Sequence, residues 1–169
     1  MKKLKWILFA CLAVFFASCG YRFEGGGYIN KDVSLVAVRA LKNKSSETGA
    51  GIAFTNALIQ EIIQKTDTKV VDESRASAFL EGTIKAITFA TLSRSTTESV
   101  LERRIFATVD LKLINKDGEV IWSASDFTSY DNYTVSVNKI TDEGNKKVAV
   151  DKIAVRSAEK LISKMMNNF

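Results

Sequence analysis

The stretch LERRIFATVDLKLINKDGEVIWSASDFTSY, Leu101 to Tyr130, decides the fold. Ile105, Ala107, Val109, Leu111 and Leu113 occupy every second position, and Arg104, Phe106, Thr108, Asp110 and Lys112 fill the positions between them. A period of two sends the first set to one side of a strand and the second set to the other. One dry face and one wet face mark an antiparallel strand. Asn115-Lys116-Asp117-Gly118 then breaks the run, with Gly118 suited to the left-handed backbone of a tight hairpin. Glu119 to Tyr130, carrying Trp122, reads as the returning strand.

Upstream, Phe79 to Leu92 alternates less strictly, with Leu80, Ile84 and Ala86 set against Glu81, Thr83 and Lys85. Ser93 to Ser99 follows as a polar loop. Val33 to Ala40 is a strand, apolar at nearly every position to Val38, which predicts cover on both faces. Leu41 to Gly51 reads as a loop and Thr68 to Val71 as a short strand. Between them Ile52 to Lys65 forms a helix, with Ile52, Phe54, Leu58, Ile59, Ile62 and Ile63 on one half of the wheel. Asp131 to Asn145 is polar, a strand end and loop, and Lys146 to Met166 closes the chain as a helix. Its apolar stripe runs from Val150, Ile153 and Ala154 to Met165. The order is therefore β-α-β-β-β-β-α. Two amphipathic helices need a shared apolar surface, so the fold class is α+β: a two-layer α/β sandwich with both helices on one face of a four- to five-stranded mixed sheet.

The first 18 residues are a targeting segment. Lys2, Lys3 and Lys5 form a positive region, and Ile7 to Ala17 is an uncharged run too short to span a bilayer. It ends in Phe16-Ala17-Ser18-Cys19, the pattern of a bacterial lipobox, in which the cysteine sulfur receives diacylglycerol and becomes the new N-terminus. A modified Cys11 would leave too short an apolar run, and a plain secretory signal would leave Cys19 as a thiol. Residues 1–18 are thus the signal, 19–32 a lipidated start and flexible tether with Gly25-Gly26-Gly27, and 33–169 one domain. Gly20, where many inner-membrane lipoproteins carry Asp, resembles an outer-membrane address.

Composition narrows the chemistry. The chain has 169 residues, 46% hydrophobic and 25% charged, an ordinary globular balance. Three of its 24 basic residues leave with the signal, so the mature chain is close to neutral and has no nucleic-acid footprint. Histidine is absent, which removes the commonest general base and every Ser-His or Cys-His arrangement. No catalytic residue, cofactor or metal site is read: the glycine run has no strand leading into it, and Asp72, Glu73 and Glu81 lack metal-loop spacing. Two basic groupings remain. Arg94, Arg103, Arg104 and Lys112 lie on or beside the central hairpin, where Phe106, and Phe79 on the neighbouring strand, are aromatics of the outer face. Lys152, Arg156, Lys160 and Lys164 recur every four residues on the last helix, the pattern of a solvated flank. Arg94, Arg104, Phe106 and Lys112 are the candidate binding residues, since aromatics beside cations on an exposed sheet face can mark a binding surface.

The lipidated start Cys19-Gly20-Tyr21-Arg22-Phe23, the strand Ser34-Leu35-Val36-Ala37-Val38 and the loop Asn43-Lys44-Ser45-Ser46-Glu47-Thr48-Gly49 resemble the LptE family of lipopolysaccharide-assembly outer-membrane lipoproteins. So do Phe54-Thr55-Asn56-Ala57-Leu58 and Phe79-Leu80-Glu81-Gly82-Thr83-Ile84. The resemblance covers nearly the whole mature chain. It implies a sheet with two helices and a protein that plugs the outer-membrane β-barrel LptD, assists its assembly and binds lipopolysaccharide. Outer-membrane lipid is a further partner through Cys19. Regulators of penicillin-binding proteins and curli-secretion-type pore subunits share the opening strand, loop and helix, and form the alternative. Mass spectrometry of the mature N-terminal peptide should show a diacylglycerol-modified Cys19; an unmodified cysteine, or a start elsewhere, would refute the anchor.

Overall fold

The computed structural model describes residues 27–94 and 100–167, with the side chains of Arg94, Val100 and Leu101 outside the described set. Its elements are β1 Leu35–Val38, β2 Lys42–Asn43, α1 Ala50–Lys65, β3 Lys69–Val70, β4 Ala78–Arg94, β5 Val100–Asn115, β6 Val120–Thr134 and α2 Lys139–Asn167. The sheet runs β3-β1-β4-β5-β6, with β2 on β4. β1 is parallel to β3 and β4, β2 is parallel to β4, and β4-β5-β6 is an antiparallel meander. This is the expected two-helix α+β sandwich, with one short strand more than the sequence reading, because Lys42–Asn43 pairs with Thr83 and Ile84.

β5 behaves as its alternation demands. Ile105, Ala107, Val109, Leu111 and Leu113 are at most 1% exposed and line the core on the side of the sheet that α2 covers. The Asn115-to-Gly118 turn forms as read: Gly118 has φ 84°, and the Asn115 side chain accepts from the amides of Asp117 and Glu119. α2 buries its whole expected stripe, including Val150, Ile153, Leu161 and Met165. Ser157 is part of that stripe; its hydroxyl bonds to Ser129 of β6 and to the Ile153 carbonyl, so the polar group is satisfied inside the core.

Several expectations shift. α2 starts at Lys139, because the Asn138 side chain accepts from the amides of Ile140 and Thr141 and caps the first turn. β6 extends to Thr134, with Tyr133 buried against Phe89. The phase of β4 flips at a bulge between Ile84 and Ala86. Beyond it Ile87, 6% exposed, faces the core in place of Ala86. The loop expected from Ser93 shrinks, since β4 continues to Arg94; residues 95–99 lie outside the described residues. On α1 the expected apolar half-wheel is too wide: Phe54, Leu58 and Ile62 are buried, but Ile52 and Ile63 are 70% and 56% exposed. The domain also reaches back past Val33. Ile29 is fully buried, its amide bonds Thr68 Oγ1, and the Gly27 carbonyl accepts from the Asp67 amide, so residues 27–32 are packed rather than tether. Cys19 and residues 1–26 lie outside the described residues.

Gly82 lets β4 and β5 meet closely. A Cβ there would stand 2.5 Å from the Asp110 carbonyl oxygen and 2.9 Å from Leu111 Cδ1. Gly82→Ala should therefore cost about 1–3 kcal/mol, measured as a lowered urea midpoint with unchanged far-ultraviolet dichroism.

Candidate functional site

Both helices lie on one side of the sheet, so β4, β5 and β6 present their other face bare. Three antiparallel strands order its side chains into rows. At the end near the β4–β5 connection, Arg104 pairs across with Asn132 and Phe106 with Tyr130. The Arg104 guanidinium lies 4.7 Å over the Tyr130 ring and its Nε donates to Asn132 Oδ1 at 2.9 Å. The Phe106 and Tyr130 rings are 6.2 Å apart. Among the described residues no carboxylate pairs with Arg104. It is a cation laid on aromatic surface and steadied by an amide, with donors left for an anion.

The rest of the face is charge-compensated. Thr108 and Thr128 bond each other at 3.2 Å. Next, the bulge of β4 at Lys85 and that of β6 at Asp126, φ 52°, flank Asp110 of β5. Lys85 Nζ contacts the carboxylates of Asp126 and Asp110, and Asp110 accepts the Asp126 amide at 2.7 Å. Those carboxylates, Asp126 first, raise the Lys85 pKa. Beyond lies Glu81, held by Lys112 at 2.9 Å and Arg39 at 3.0 Å, while Arg39 also grips Glu73 and covers the Phe79 ring at 4.5 Å. A depression of about 290 Å³ between Thr83, Asp110, Lys112 and Ser123 marks this part.

The expected site residues are thus separated by environment. Arg104 and Phe106 join one aromatic cluster. Lys112 is on the same face, but its charge is already matched by Glu81. Arg94 is paired through its backbone to Val100, not in a loop, and its side chain is outside the described set. Phe79 is half-buried under Arg39 rather than open. On α2 the basic row is not uniform: Arg156 donates to the Tyr130 carbonyl at 2.9 Å and meets Asp131, tying helix to strand, whereas Lys152, Lys160 and Lys164 are exposed. Tyr130 and Asn132 escaped the sequence reading. Constant pairing from Leu113 and Trp122 puts Ser129 opposite Phe106; the extra residue of the β6 bulge brings Tyr130 there instead.

Among the described residues no group of three or more Cys, Asp or Glu side chains could hold a metal ion, and no helix is long and apolar enough to cross a membrane. Solved structures share the fold. A lipoprotein B of Nitrosomonas europaea superposes with TM-score 0.56 at 14% identity, over 85% of this chain and 88% of its own. A Xanthomonas campestris protein gives 0.51 at 11%, over 85% of each chain. A Chlamydia trachomatis protein gives 0.50 at 9%, over 79% of this chain and 95% of its own. At such identities the likeness is one of fold. No curated protein matches the chain.

Helices confined to one side of a mixed sheet, with the other side bare, define an α+β domain of a kind seen in a bacterial lipoprotein. The family model for LptE, lipopolysaccharide-assembly, matches residues 34–166, and the chain belongs to that family. The family is one of lipoproteins that serve lipopolysaccharide assembly, not of enzymes.

The Glu81 cluster sets a pH dependence. Lys112, and with it Arg39, holds the Glu81 carboxyl below the usual carboxylate range. A depressed folded value means the pairing stabilises fully above the ordinary carboxyl range and is lost as pH falls through the depressed value. Glu81→Gln should lower the urea midpoint at neutral pH by an amount equivalent to at most about 1 kcal/mol, since the partners are solvated. The two proteins should converge in stability in strong acid.

Proposed function

We infer that the chain is a lipoprotein of the outer membrane, anchored by acylated Cys19 on the periplasmic side, which binds the β-barrel LptD, plugs it, assists its assembly and helps deliver lipopolysaccharide to the cell surface. Family membership over residues 34–166 supports the pathway, and the arrangement of Arg104 on Tyr130 beside Phe106 supports the ligand. Lipopolysaccharide joins clustered phosphates to acyl chains. Arg104 offers a planar fork to a phosphate, and the two rings offer apolar area next to it. Arg94 and Lys112 complete the candidate set, with Lys112 secondary because Glu81 competes for its ammonium. This function involves no catalytic step and no cofactor. Family membership favours it over a penicillin-binding-protein regulator or a curli-type pore subunit.

The experiment is capture of lipopolysaccharide by purified protein. Arg104→Glu should reduce capture by about tenfold or more, since reversing a charge replaces attraction with repulsion at a phosphate contact worth on the order of 1.5–3 kcal/mol. Phe106→Ala should reduce it less, and rising salt should weaken capture by the native protein. Undiminished capture by folded Arg104→Glu protein would move the ligand surface elsewhere, first to Lys152, Lys160 and Lys164 of α2.

A further inference from the structure

Side chains from three strands line the depression of about 290 Å³ on the bare face: Thr83 from β4, Asp110 and Lys112 from β5, Ser123 and Ser125 from β6. Thr83 stands opposite Asp110, and Ser123 opposite Lys112. Thr83, Ser123 and Ser125 are short, while the ion pairs Lys85–Asp126 and Lys112–Glu81 flank them along the strands. Ser123 and Ser125 are exposed and Thr83 is half-buried, so the hydroxyls are open to a ligand. Asp110 is held in place, since it accepts the Asp126 amide at 2.7 Å where the β6 bulge turns the backbone to φ 52°. Bulges of this kind commonly re-aim a side chain beside a binding site.

The lining mixes donors and acceptors. Asp110 accepts, Lys112 donates, and each hydroxyl does either. A phosphate brings negative charge and acceptors, and here it would meet the carboxylates of Asp110 and Glu81. Lys85, Lys112 and Arg39 are each paired with carboxylates, so their charge is already matched. An uncharged ligand rich in hydroxyls fits better. A sugar hydroxyl donates and accepts at once, and it meets no repulsion from Asp110 or Glu81.

The depression lies in line with the arginine end of the same face. Asp110 is six residues from Arg104 along β5, about 20 Å at the rise of a strand. The bonded hydroxyls of Thr108 and Thr128 lie between them, so the path from the aromatic cluster is polar and uncharged. Lipopolysaccharide has the matching order, with the acyl chains and phosphates of lipid A at one end and linked sugars after them. A molecule held by a phosphate at Arg104 can reach the depression with its sugar chain.

We propose that this depression is a saccharide subsite, which takes one ring of the lipopolysaccharide oligosaccharide with Asp110 and Lys112 bonding its hydroxyls over a floor of Thr83, Ser123 and Ser125. The proposal rests on the bare face being the lipopolysaccharide surface. It gives Lys112 a role compatible with its bond to Glu81: an ammonium has three donors, and Glu81 leaves others for a neutral ligand.

The test compares two ligands captured by the full acylated chain in detergent: lipopolysaccharide carrying its core oligosaccharide, and lipid A, which lacks it. The native protein should hold the sugar-bearing form roughly tenfold more tightly, the effect of one to three hydrogen bonds. Ser123→Phe, which fills the depression from an exposed strand position, should bring that ratio near one and leave lipid A capture unchanged. Thr83→Val keeps the side-chain shape without the hydroxyl and should lower the ratio about threefold. Arg104→Glu should weaken capture of both forms alike and preserve the ratio. Circular dichroism and urea midpoints check that each variant is folded. Native protein that holds both forms equally, and loses both on Arg104→Glu, overturns the proposal alone. A ratio that survives both Ser123→Phe and Thr83→Val places the sugar elsewhere and also overturns it. Ser123→Phe protein that loses lipid A as strongly as the complete molecule makes the depression a lipid A contact, and the saccharide subsite falls. Capture of neither form by folded native protein overturns the bare face as the lipopolysaccharide surface, and the proposal with it.

Discussion

Strand β5 must bury Ile105, Ala107, Val109, Leu111 and Leu113, and its period of two then commits Arg104, Phe106, Thr108, Asp110 and Lys112 to the opposite side. A slip of one residue would exchange the two sets, placing two cations and a carboxylate in the core. Both helices follow from this constraint. Each has one apolar stripe: α2 settles over β5 and β6, and α1 packs against α2 and over β1, β2 and β3 on the same side of the sheet. The bare face is the complement of the core, produced by the same alternation.

Charge on that face is handled differently along its length. Around Lys85 and Glu81, cations and carboxylates neutralise one another across three strands, and two bulges at one level bring Lys85, Asp110 and Asp126 together. At the Arg104 end the partners are an aromatic ring and an amide, which orient the guanidinium without neutralising it. Among the described residues no carboxylate has to be displaced by a phosphate arriving at Arg104, whereas at Lys112 the phosphate competes with Glu81. This contrast singles out Arg104 among the cations of the described face.

Periodicity made much of this legible. The alternation of β5, the Asn115–Gly118 turn and the stripe of α2 could be read because each repeats one physical rule over many residues. What stayed hidden depends on single residues or on tertiary partners. The Lys85 and Asp126 bulges shift phase by one without a local pattern, which misplaced Ala86 and concealed the Phe106–Tyr130 pair. Asn138 caps α2 inside a polar stretch that looked like loop. The α1 isoleucines read as core because a helical wheel shows which residues are apolar but not how wide a surface the sheet offers them. Ile29 lies in a stretch that reads as tether because one apolar residue among polar ones shows no period, yet Thr68 and the helix end pin it. The sign of the outer face was visible in Arg104 and Lys112; the compensation of Lys112 by Glu81 required the register of β4 on β5.

The central claim is that the helix-free face, at its aromatic and arginine end, is the working surface. A photo-crosslinking amino acid at position 106 in living cells tests it most directly. The account predicts adducts with lipopolysaccharide or with the outer-membrane barrel, and none from the same probe at the buried position 153. Crosslinks absent at 106 but abundant from the exposed faces of α1 and α2 would contradict it.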